Sequence, residues 1–94
     1  MGQKAVLVAD DDAPVRSLLR QVLQEEGYAV QEAATGVEVV DKVKEGSPDL
    51  VIMDVRMPEL DGIEALSRVK ATSPKTSVLI MTAFGSSNAA IRAM

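Results

Sequence analysis

The sequence predicts an α/β fold: a parallel sheet with helices on both of its faces. Two observations carry that prediction. Short runs that are apolar throughout alternate with amphipathic stretches, in the order strand, helix, strand, helix, strand, helix, strand, helix. The strands also lack the in–out alternation of a sheet with one wet face, so both faces must be covered. Right-handed crossovers then leave few topologies open.

Ala5–Ala9 is a continuous apolar run and reads as a buried first strand. Val15, Leu18, Leu19, Val22 and Leu23 follow at helical spacing and predict one inward helix face. Asp12 suits the cap of that helix, Pro14 its first turn and Gly27 its end. Tyr28–Ala34 reads as a weaker strand, and Gln31 and Glu32 suit a sheet edge. Thr35 with Glu38 forms a capping-box pattern. The helix it opens directs Val37, Val40 and Val43 inward and stops near Gly46, with Pro48 beyond. Leu50–Met53 is a third strand that ends directly at Asp54. Asp61 and Glu64 mark the start of a third helix, which buries Ile63, Leu66 and Val69. Val78–Met81 is the fourth strand, and the residues from Ser86 onward read as the start of a last helix.

Strand four raises a topological expectation. In a sheet of order 2-1-3-4 it is an edge, yet it has no charge, proline or polar alternation. A fifth strand is expected beside it, outside this chain.

The composition narrows the chemistry. The chain has 94 residues, enough for one domain, and only one Tyr and one Phe, so its core is aliphatic. It has no Cys and no His, which excludes disulfides, thiol or imidazole catalysis and the usual zinc sites. The net charge is -4 and no basic tract is present, so nucleic-acid binding by this segment is not expected. No apolar run approaches the ~20 residues needed to span a bilayer, and the N-terminus lacks a signal-peptide pattern. A soluble, cytoplasmic protein that engages no membrane is the expectation.

In open parallel α/β sheets, function gathers at the carboxyl ends of the strands, at the switch point between strands one and three. Strand one ends at Asp10 and Asp11, strand three at Asp54 and strand four at Thr82. No lysine follows a strand; Lys75 precedes strand four and belongs at the opposite end of the sheet. Converging carboxylates repel unless hydrated or paired. A hard cation such as Mg²⁺, which favours one or two carboxylates plus water and phosphate oxygens, answers that need. With no His, Cys or glycine-rich phosphate loop, Asp54 is the best available nucleophile for a phosphoryl group. Each residue also has a plain reading. Asp12 serves as a cap, strand ends favour Asp, Thr82 alone is a strand-end hydroxyl, and Met53 and Met57 suit packing.

At this point "VLVADDD", "DLVIMDVRMPELDGIE" and "VLIMTAFGS" give the sequence a resemblance to the receiver domains of two-component response regulators. The resemblance covers the whole chain, residues 1–94, up to its abrupt end. It implies a flavodoxin-like doubly wound sheet of order 2-1-3-4(-5), with the domain C-terminally incomplete. It also implies Asp54 as phospho-acceptor, Asp11 as a direct Mg²⁺ ligand, Asp10 acting mainly through water, and the backbone carbonyl of Arg56 as a further ligand. Thr82 would hydrogen-bond the phosphoryl oxygen and Ala83 would stay small beside it. Met57 and Pro58 would shape the loop after the acceptor, and Gly62 would lie in the turn into the third helix; Phe84 has two readings of equal weight, a control on phosphate access and a plain surface-loop aromatic. The family's strand-five lysine and aromatic switch residue have no counterpart in these residues.

The implied partners are a sensor histidine kinase and an output domain or downstream regulator. The wording most resembles receivers fused to enhancer-binding transcriptional activators. On this reading the chain is a phospho-acceptor with self-dephosphorylation at most, not a turnover enzyme. Two other classes compete. An aspartyl phosphohydrolase usually wants a second acid two residues after the nucleophile, where this chain has Arg56. An interaction module with a relict site would use the apolar strand-four and last-helix face to form a homodimer.

Overall fold

The computed structural model describes residues 3–54, 62–81 and 91–93. It contains β1 (Ala5–Ala9), α1 (Ala13–Glu25), β2 (Ala29–Ala33), α2 (Gly36–Glu45), β3 (Leu50–Asp54), α3 (Gly62–Thr72), β4 (Ser77–Met81) and β5 (Ile91–Ala93). The sheet order is β2-β1-β3-β4-β5. The first four strands are parallel, as the sequence predicts, and β2 lies at the edge. In register, Val8 lies opposite Glu32 on β2 and Ile52 on β3, while Asp54 lies opposite Met81 on β4.

Period-two alternation sorts the strand side chains into two cores. Leu7, Ala9, Val51, Met53, Val78 and Ile80 face one side, where Val39, Val43, Ala65 and Val69 of α2 and α3 complete a fully buried cluster. Val6, Val8 and Ile52 face the other, with Leu19, Leu23, Val30, Leu50, Leu79 and Met81 partly buried around them. The two faces are therefore unequally covered among the described residues.

The local signals explain where elements begin and end. The Asp12 carboxylate accepts from the Val15 N–H at 3.3 Å and caps α1. Gly27 takes φ +97°, a left-handed conformation that favours glycine, and lets the Tyr28 N–H close back on the Leu23 carbonyl. Thr35 caps α2 by accepting from the Glu38 N–H at 3.1 Å, and Glu38 reaches back to the Ala34 N–H at 2.8 Å. At the amino ends of the strands, Asp49 accepts from the Ala5 N–H, and the buried Thr76 hydroxyl joins Ser73 to the Pro48 carbonyl. Lys75 lies in the turn before β4, at that same end. The proposed cap Asp61 lies outside the described residues.

The structure corrects four expectations. On α1, Leu19 and Leu23 pack on the sheet, but Val15, Leu18 and Val22 remain exposed, Leu18 at 61%. The apolar stripe is wider than its contact with the sheet, so only its inner edge is covered. On α2 the buried valines are Val39, Val40 and Val43, and Val37 is exposed. On α3, Ala65 and Val69 are buried and Leu66 partly so, whereas Ile63 is 57% exposed. Both shifts have one cause: the buried stripes run through Gly36, Val39, Val40 and Val43 and through Gly62, Ala65, Leu66 and Val69, and Val37 and Ile63 lie to one side of them. Last, residues 91–93, expected in a helix, form β5 antiparallel to β4, pairing Leu79 with Ala93 and Met81 with Ile91. Strand β4 therefore has a neighbour on its outer side, though not the parallel one expected, and backbone pairing along its open edge outweighs local helix preference.

Candidate functional site

The switch point lies between β1 and β3, whose chains leave the sheet in opposite lateral directions toward β2 and β4. Strand β3 delivers Asp54 as its last residue, and β1 delivers Asp10 immediately past its end. Asp10 and Asp54 are buried, 5% and 8% exposed, whereas Asp11 is open to solvent. One carboxylate oxygen from each of Asp10, Asp11 and Asp54 lies within 4.8 Å of the others. The structure thus brings together three of the predicted site residues. Thr82, Ala83 and Arg56, with Met57, Pro58 and Phe84, lie outside the described residues.

Asp10 is held at each end of its backbone and at its side chain. Its N–H extends the β1–β2 ladder by donating to the Ala33 carbonyl at 3.1 Å. Its Oδ1 accepts the Asp12 N–H at 2.9 Å, closing the turn into α1. Its carbonyl accepts from Arg16 Nη1 at 2.7 Å. Burial pushes the Asp10 carboxyl above its usual range. The Asp12 N–H opposes that shift, and the charges of Asp54, Asp11 and Asp12 add to it.

The donor set tests what the cluster fits. Three carboxylates supply only hard oxygen donors, two of them desolvated, with an exposed third leaving room for water. That is the chemistry of a Mg²⁺ site, not of a soft-metal site. A bound cation would also offset the burial and the neighbouring carboxylate charges that together raise the Asp10 pKa. Elsewhere, a cleft of about 400 Å³ beside α2 is lined by Glu32, Glu38, Asp41, Lys42 and Glu45. Its lining residues lie off the switch point between β1 and β3, so the acidic crevice at Asp10, Asp11 and Asp54 is the functional candidate.

The family model described as "Response regulator receiver domain" matches residues 6–94. The chain belongs to the response regulator receiver family. Among curated relatives of this receiver, sporulation initiation phosphotransferase F of Bacillus subtilis is 41% identical over 85 residues, covering 90% of this chain and 68% of the relative. The transcriptional regulatory protein ZraR of Klebsiella oxytoca is 42% identical over 92 residues, which span 98% of this chain but 21% of ZraR. Among solved structures, the response regulator TrrA of Thermotoga maritima, in complex with Mg²⁺-BeF, superposes with a TM-score of 0.83 at 36% identity. That match covers 88% of this chain and 72% of TrrA. A CheY-like receiver from Methanospirillum hungatei gives a TM-score of 0.86 at 29% identity, covering 92% and 69% of the two chains. These matches agree with the flavodoxin-like order observed for the parallel strands.

Two residues tied to the acidic loop escaped the sequence reading: Arg16 and its partner Glu32. Glu32 was legible only as an edge residue. The signal for Arg16 was its place one turn from the acidic loop with Arg20 four residues on, on the same helix face. Among the described residues no helix is long and apolar enough to cross a membrane.

Proposed function

We propose that this receiver is a phosphoryl-accepting switch in which Asp54 is the acceptor and Asp10 and Asp11, with Asp54, hold Mg²⁺. The convergence of three carboxylates within 4.8 Å at the β1–β3 switch point carries this reading. The transfer balances simply. An Asp54 carboxylate oxygen bonds to phosphorus, the phosphorus–nitrogen bond of a phosphohistidine breaks, and its electron pair returns to the imidazole. A small acyl phosphate can donate in the same way, with a carboxylate leaving. The product is an aspartyl phosphate.

When bound, Mg²⁺ neutralises charge on the transferring phosphoryl group. The chain's own residues do the rest. Asp54 is nucleophilic as a carboxylate, and its position at the strand end presents it to the crevice. Asp10, fixed at backbone and side chain, supplies a donor oxygen that needs little reorganisation. The exposed Asp11 supplies another at the mouth. The backbone carbonyl of Arg56 is assigned as a further ligand, Thr82 as the hydroxyl that senses the phosphoryl oxygen, and Ala83 as the small residue beside it. Slow hydrolysis of the aspartyl phosphate resets the switch, so the chain is not a turnover enzyme on a separate substrate.

The proposed donor is a sensor histidine kinase in the cytoplasm, and the proposed reader is an output domain or downstream regulator. Similarity to ZraR, a transcriptional regulatory protein, supports a role in transcription. The test is intact mass after incubation with acetyl phosphate, with and without Mg²⁺. A gain of one phosphoryl group that needs Mg²⁺ and disappears in Asp54→Asn is expected. No gain in the wild-type chain under conditions that phosphorylate a control receiver contradicts the proposal.

A further inference from the structure

Arg16 joins the acidic loop to the sheet edge. Its Nη1 donates to the Asp10 carbonyl at 2.7 Å, while its Nε donates to Glu32 Oε1 at 2.8 Å. Arg20, one turn further along α1, pairs its Nη1 with the other Glu32 oxygen at 2.9 Å. Glu32 is thereby held at both oxygens. The Arg16 side chain is 19% exposed and that of Glu32 26%, so the bridge is shielded enough to hold a geometry that a fully exposed pair would lose to solvent.

The placement matters because of what Asp10 does. Asp10 is joined to β2 directly, through its N–H and the Ala33 carbonyl. Arg16 and Glu32 make a second, indirect tie from its carbonyl to the same strand. Two ties on either side of the Cα fix where the side chain leaves the backbone. Only a guanidinium can make both Arg16 contacts with fixed divergence, since an ammonium has no planar fork.

We propose that Arg16, braced by Glu32 and Arg20, is a positioning residue that holds Asp10 in place and so sets the divalent-cation affinity of the acidic cluster. This rests on reading that cluster as a cation site. Groups that orient metal ligands from behind typically change affinity by about 10–100-fold when removed.

The experiment is a Mn²⁺ titration read by electron paramagnetic resonance of the free ion, with thermal unfolding measured on the same samples in EDTA. Wild type, Arg16→Ala, Arg16→Lys and Arg20→Ala are compared. Arg16→Ala is expected to weaken Mn²⁺ binding by about 10–100-fold, with Arg16→Lys in between. Arg20→Ala loosens Glu32 but leaves the Asp10 contact, so its affinity is expected to stay within about threefold of wild type even where its stability falls. Equal weakening in Arg16→Ala and Arg20→Ala, in step with lost stability, would reduce Arg16 to a structural staple and overturn the proposal. So would unchanged affinity in Arg16→Ala. Should that variant not fold, Arg16→Lys decides, and wild-type affinity there overturns the proposal. A wild-type chain that binds no Mn²⁺ instead removes the cation-site reading itself, and this inference falls with it.

Discussion

Asp10 shows how a single residue can be unfavourable alone and useful in company. Its carboxyl is buried beside Asp54 and within reach of Asp11, and its pKa is raised, chiefly by burial. A raised folded-state pKa means that folding favours the protonated acid. The stability this carries is complete below the unfolded carboxylate pKa and is lost as pH rises through the higher folded value. Metal-free protein is therefore expected to lose stability through that window toward neutral pH, and Asp10→Asn to flatten the dependence. At pH 7 in EDTA, Asp10→Asn is expected to raise the thermal midpoint; a relief of ~1 kcal/mol corresponds to about 4–8 °C in a domain of this size. Mg²⁺ should then stabilise wild type more than the variant. Thermal scans across pH, with and without Mg²⁺, check all three outcomes. A lower midpoint in Asp10→Asn without metal would contradict the assignment of the charge deficit.

The acidic residues were legible because Asp at the ends of strands one and three is a sequence signal that topology converts into proximity. Arg16 was not. An arginine in the first turn of a helix, within no particular motif, reads as part of a solvated face, and only the packing of α1 against β2 reveals that it spans from the Asp10 carbonyl to Glu32.

Elements were legible where the signal is local. Caps at Asp12 and Thr35 and the left-handed Gly27 are short-range chemistry, and each is where the sequence places it. Helix faces were less so. The period of 3.6 identifies a stripe, but which neighbouring positions centre it on the sheet depends on how each helix is rotated about its axis, and small residues such as Gly36 and Gly62 can hold the inner line. Val37 and Ile63 lie beside the buried stripes of α2 and α3, and Val15, Leu18 and Val22 on the flank of α1. The three-residue strand β5 is a stronger case, since its pairing with β4 is non-local and leaves no periodic trace in so short a segment.

The opposite end of the sheet holds a buried element that composition conceals. Thr76 is 1% exposed; its hydroxyl contacts Ser73 Oγ and donates to the Pro48 carbonyl, both at 2.7 Å. It ties the turn before β4 to the turn before β3. Thr76→Val keeps the shape and removes the hydroxyl, leaving the Pro48 carbonyl without this donor. A loss of about 1–3 kcal/mol in chemical denaturation is expected, with Mn²⁺ affinity unchanged because the site is at the far end of the strands. Wild-type stability in Thr76→Val would show that the tie contributes nothing.

At the scale of the whole molecule, the sheet does two separate things. Its two buried faces hold the strands in the order β2-β1-β3-β4, and that order places the ends of β1 and β3 side by side. The parallel sheet was legible from three apolar runs, a weaker edge strand and their connections, and its order from the resemblance to receivers. The second followed from the general behaviour of open parallel sheets and from the resemblance of three motifs to receivers. Which carboxylate accepts the phosphoryl group is a finer question, because Asp10, Asp11 and Asp54 all reach the same space.

That question has a direct measurement. After incubation with acetyl phosphate and Mg²⁺, borohydride reduces an aspartyl phosphate to homoserine, and tandem mass spectrometry locates the reduced residue. Homoserine at position 54, and at neither 10 nor 11, is the predicted result. Reduction at Asp10 or Asp11, or none in a chain that has gained a phosphoryl group, would contradict the account.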